Sequence, residues 1–148
     1  MKKIFVVTLF FALLSFCGFS QTYQNVTLPS AYPVMLEIAS EISSDEVTEG
    51  QAIKLAVKTA VIIDGATVIP TRALATGRVL KIKESSFNYA ATITIEVLTA
   101  TTIEGKVIDL HGEATFKGQN KGEAATVKIG QILDAAVSNS VSVRGVRQ

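Results

Sequence analysis

Residues 61–79 read VIIDGATVIPTRALATGRV, and their punctuation sets the fold class. Asp64-Gly65 stands between two Val/Ile-rich runs, the pattern of a two-residue type I′ hairpin in which both central residues need positive φ. Pro70 follows Ile69. It holds Ile69 extended and has no N–H for a sheet ladder, so it ends the second strand. Gly77 interrupts the next strand-like run, where a bulge or the close approach of another backbone is expected. A hairpin, a stop and a bend make this stretch frame rather than ligand wall, because none of these groups acts on a substrate.

Working outward, the apolar residues recur with period two rather than 3.6. Val34, Leu36 and Ile38 alternate with Met35, Glu37 and Ala39, and Ile53, Leu55, Val57 and Val61 alternate with Lys54, Ala56 and Lys58. The same holds for Ile93, Ile95 and Val97, for Ile108 and Leu110, for Val127 and Ile129, and for Val141 and Val143. Each reads as a half-buried strand. Glu104-Gly105 is expected to do nearly the same work as Asp64-Gly65, and 83–90 (KESSFNYA) and 117–123 are expected to be polar connections. Residues 43–50 read as a polar turn region with room for one helical turn capped by Ser44. Gly130–Ser138 is short enough for helix or strand, and strand is preferred. Regularly spaced short strands predict an all-β fold, a single small antiparallel β-barrel or sandwich of about eight to ten strands.

The N-terminus, MKKIFVVTLFFALLSFCGFSQ, has a positive n-region at Lys2 and Lys3, an apolar run over Ile4–Phe16 and small residues at Gly18 and Ser20. This is the pattern of a cleaved secretory signal over residues 1–20. The run is short of the ~20 residues that span a bilayer, and Phe16 before Cys17 argues against a lipoprotein site. Cleavage leaves about 128 of the 148 residues, enough for one domain with its own core. Residues 21–27 read as a flexible leader and 28–148 as a single β domain. Cys17, the sole cysteine, would leave with the signal, taking any disulfide or thiolate chemistry with it. Without Lys2 and Lys3 the count is 12 Lys and Arg against 13 Asp and Glu, and the signs alternate. That balance builds no basic face for nucleic acid.

A fixed order of marks runs through the first half: Leu28-Pro29 with Pro33-Val34, Glu41-Ile42-Ser43-Ser44, Gly50, Asp64-Gly65, Val68-Ile69-Pro70, and Ala75-x-Gly77-x-Val79. In this order the chain resembles the C-terminal β-barrel domain of TrbI-family proteins of type IV secretion systems, and related small exported bacterial domains. The similarity is best over 28–80. The resemblance implies a β-barrel fold and an envelope setting. The membrane anchor, proline-rich stretch and helical insertion of TrbI-family proteins have no counterpart here, so a conjugation-channel role is not implied.

Candidate chemistry is sparse. His111 is the sole histidine, with Asp109 and Glu113 two residues to either side. That stripe could hold a divalent metal weakly, as in a metal-dependent hydrolase, but a good zinc site needs three or four converging ligands, and a solvated strand face is the simpler reading. Asp45, Glu46 and Glu49 lack the D-x-[DN]-x-[DN]-G spacing of a calcium loop. Ser43, Ser44, Ser85 and Ser86 have no G-x-S-x-G elbow, and nothing singles out a carboxylate pair for glycoside cleavage. No catalytic residue, metal site or cofactor is expected. Phe87 and Tyr89 lie two apart in KESSFNYA, so both side chains could point the same way, either as a contact patch or, more simply, as a cap on one end of the barrel. The expected role is a non-catalytic structural or protein-interaction module, periplasmic, outer-membrane-associated or extracellular, with an envelope or secreted protein as partner. The surface would be loop 83–90, anchored by Phe87 and Tyr89, and secondarily 117–123. The alternative is a small-molecule or glycan binding module using the barrel mouth.

Overall fold

The computed structural model describes Gly18 and residues 20–147. The expected signal segment, 1–20, lies outside them apart from Gly18 and Ser20. Among the described residues the chain is all-β, with thirteen strands. They are β1 (Thr22–Leu28), β2 (Pro33–Ile38), β3 (Ile42–Ser43), β4 (Ala52–Val57), β5 (Val61–Ile63), β6 (Ala66–Ile69) and β7 (Leu74–Lys83). Then come β8 (Thr92–Thr101), β9 (Val107–His111), β10 (Glu113–Lys117), β11 (Thr126–Val127), β12 (Ile132–Val137) and β13 (Val141–Arg147).

All pairings are antiparallel. A seven-stranded sheet runs β10-β8-β7-β4-β2-β12-β9, and β9 pairs back onto β8, which makes it ring-like. A four-stranded sheet, β1-β13-β6-β5, shares its core, and the short β3–β11 ribbon adds Ile42 and Val127 to that core. The period-two reading holds on the inner face: Val34, Leu36, Ile38, Leu55, Val57, Ile93, Ile95 and Leu133 are buried, while their strand neighbours face outward. At about 1.5–3 kcal/mol for each large aliphatic side chain buried, this core, rather than any crosslink, holds the domain together.

The opening stretch is assembled as read. Asp64 and Gly65 have φ of 50° and 77°, the mirror-turn geometry. β6 ends at Ile69, just before Pro70. The β7–β8 register shifts between Thr76 and Gly77, and a Cβ at Gly77 would lie 2.6 Å from the Glu96 carbonyl oxygen. Glycine is there because a backbone passes over it.

Several expectations are corrected. Residues 21–27 are not a loose leader: β1 pairs with β13 along seven positions. Only its last inward positions, Val26 and Leu28, are apolar, too short a pattern to register as periodicity. The run from Ile53 to Val61 is two strands. Val57 and Val61 are both buried, but the turn between them carries the chain from one sheet to the other. The strand count exceeds ten for that reason, and because Gly112 splits β9 from β10. A Cβ at Gly112 would lie 2.6 Å from the Asp134 carbonyl oxygen. Glu104-Gly105 makes a different turn. Only Gly105 has positive φ (84°), and its N–H donates to the Thr102 carbonyl at 2.9 Å, a type I turn closed by a glycine. Ile129 is exposed, outside two-residue β11. In 43–50 it is the Ser43 hydroxyl that accepts from Asp45 N–H (3.5 Å), whereas Ser44 Oγ accepts from Ala125 N–H (3.0 Å).

Candidate functional site

β7 and β8 form a long hairpin joined by residues 84–91, which hold all of the KESSFNYA segment except Lys83, the last residue of β7. Its tip is a tight turn: Ser86 N–H donates to Tyr89 O at 2.9 Å and Tyr89 N–H to Ser86 O at 3.1 Å. Phe87 and Asn88 occupy the two corners. Phe87 and Tyr89 therefore do not share a strand face, and their spacing of two is not why both rings point outward. Phe87 is 94% exposed and Tyr89 71% exposed. Neither caps the core, to which Tyr32 and Phe116 contribute partly buried rings instead.

The turn is not a free flap. Tyr89 O also accepts from Gly122 N–H (3.1 Å), Ala91 N–H donates to Glu123 O (3.0 Å) and Gly118 N–H donates to Ala91 O (2.9 Å). The first of these bonds joins 83–90 to 117–123, the two polar connections expected from the sequence, and the other two tie the adjoining Ala91 to the same loop. The second loop is braced internally, because the Glu123 carboxylate accepts from Asn120 N–H (3.2 Å) and Asn120 Nδ2 (3.0 Å). The aromatics thus sit on backbone fixed at both ends, which lowers the ordering cost of any contact they make.

Register adds residues that spacing did not single out. Lys83, Thr92 and Lys117 are directly opposite one another across β7, β8 and β10, as are Lys81, Thr94 and Thr115 in the next outward row. Thr94 and Thr115 hydroxyls bond at 3.0 Å. Lys83, Glu84, Tyr89, Ala90, Thr92 and Lys117 line an open cavity of about 440 Å³. Among the described residues the ion pairs are Lys58–Glu37, Arg78–Glu96 and Arg144–Glu104, so neither Lys83 nor Lys117 has a carboxylate partner. Sequence spacing could not find this group, because only the three-strand register brings residues 83, 92 and 117 together.

The other candidates separate. Among the described residues no three His, Cys, Asp or Glu side chains gather to hold a metal. Asp109 and His111 face outward on β9, and Glu113 begins β10 beyond the Gly112 break. His111 Nδ1 meets Ser138 Oγ at 3.5 Å, the outer limit of a hydrogen bond, and none of Ser43, Ser44, Ser85 or Ser86. Glu49 serves the fold, since its carboxylate accepts from Ile82 N–H at 2.9 Å and braces β7 near its register shift at Val79/Lys81. Among the described residues no helix is long and apolar enough to cross a membrane. No family model matches the chain, and no match to a curated protein is found.

Proposed function

We propose that the protein is an exported, non-catalytic interaction module of the bacterial cell envelope that engages a partner protein through the end of the β7–β8 hairpin. The carrying observation is Phe87, 94% exposed at the corner of a turn pinned by backbone bonds on both sides. A fully exposed phenyl ring does nothing for the core, and aromatic anchors on rigid backbone are what interfaces use as hot spots. The resemblance to the TrbI-type barrel and the signal-like N-terminus support the setting: periplasmic, outer-membrane-associated or extracellular.

The barrel-mouth alternative draws less support. Leu36, Leu55, Val79, Ile93, Ile95 and Leu133 fill the inner face at 1% exposure or less, and packed aliphatic side chains leave little room for a ligand. The reading is tested by pull-down from an envelope fraction with wild type and with Phe87→Ala plus Tyr89→Ala. At least one specifically retained protein should be lost with the double variant. Retention of every partner would refute the assignment of the surface.

A further inference from the structure

We infer that the cavity beside Tyr89 is a binding site for an acidic saccharide, with the sugar's anionic group held between Lys83 and Lys117. The inference goes beyond the partner-protein reading; of the two aromatic anchors of that reading it shares Tyr89 but not Phe87, which does not line this cavity.

Geometry supplies the anion site. Neighbouring strands lie about 4.8 Å apart, so Lys83 and Lys117 leave the sheet about 10 Å from each other with Thr92 midway. Two flexible ammonium groups at that separation can converge on one anion above the Thr92 hydroxyl. Neither is satisfied by a carboxylate of the described chain within ion-pairing distance. Lys81, one row along on the same outward face, adds a third positive charge to the local field. Glu84 is the single carboxylate in the lining.

The rest of the lining selects the ligand class. A volume of about 440 Å³ falls within the ~300–1,000 Å³ range of small-ligand sites. Its polar side-chain groups are two ammoniums, one carboxylate, the Thr92 hydroxyl and the Tyr89 phenol, whose ring is the one aromatic wall. A ring with hydroxyls at its edge and a C–H face suits that combination. The C–H face packs on Tyr89, Glu84 accepts from ring hydroxyls, and the lysines take the charge. An apolar ligand would leave both lysines unanswered, and a neutral sugar would forgo the charge-assisted bonds.

The test is isothermal titration of the domain with a tetramer of galacturonic acid and with a neutral galactose tetramer, at low and high salt. Binding of the acidic tetramer is expected, at least tenfold tighter than the neutral one and weakened by salt. Lys83→Gln plus Lys117→Gln should reduce it at least tenfold. The Lys83→Arg plus Lys117→Arg pair, which keeps the charge, should retain most of it with an unchanged circular dichroism spectrum. Tyr89→Ala should weaken binding and Phe87→Ala should not. No binding of the acidic tetramer, equal binding of the neutral one, or indifference to the Gln pair would overturn the inference. So would binding confined to vesicles of anionic lipid, which would make the cavity a headgroup contact. Partner-protein capture that survives the Gln pair but not Phe87→Ala would leave the two surfaces distinct.

Discussion

The stretch 61–79 runs into the first half of β7 and the segment 83–90 starts at its last residue, yet the two place their conspicuous side chains differently. In 61–79 the residues that punctuate the sequence answer backbone needs: Asp64 and Gly65 take positive φ, Pro70 ends β6, and Gly77 lets the Glu96 carbonyl pass. Val61, Ala66, Val68, Ile69, Ala75 and Val79 are buried behind them. In 83–90 the backbone is equally well bonded, but its two aromatic rings are turned to solvent. The fold explains the turn and leaves the rings unexplained. Residues a fold does not need are better guides to function than residues that merely stand out in the sequence.

That contrast can be broken at several strengths. Leu55→Ala, behind the hairpin and 1% exposed, should cost about 2–5 kcal/mol in chemical denaturation. A smaller loss would mean that the shared core is less tightly packed than its burial implies. Gly77→Ala drives a Cβ against the Glu96 carbonyl and should cost about 1–3 kcal/mol, as overpacking does. Gly65→Ala, at φ 77° with open space around it, should cost about 1 kcal/mol through backbone strain alone, read as a shift in the denaturant midpoint with an unchanged slope. Phe87→Ala and Tyr89→Ala should each change stability by less than about 0.5 kcal/mol, as exposed substitutions do. A larger loss would show the rings to be structural after all.

Much of the fold was legible because a half-buried strand writes its inner face into alternate residues. β2, β4, β8, β9 and β13 all carry that mark. β1 does not, since Thr22–Asn25 are held by ladder bonds to β13 rather than by burial. The switch of sheets between Val57 and Val61 is equally silent, because both are buried valines and nothing local says that they belong to different layers. Of the candidate site, Phe87 and Tyr89 could be found as isolated aromatics in a polar connection. The corner turn that exposes them could not, nor could the Lys83–Thr92–Lys117 row, which exists only through long-range register.

The difference between the two regions is most directly measured by site-specific photocrosslinking. A photoreactive phenylalanine analogue is placed in turn at Phe87 and at Ile62, the 54%-exposed apolar residue of the 61–69 hairpin, and each protein is irradiated in an envelope fraction. A discrete crosslinked partner is expected from position 87 and none from position 62. Crosslinking at 62 equal to or stronger than at 87 would contradict a working surface at the β7–β8 turn, and would return it to the hairpin that otherwise serves as scaffold.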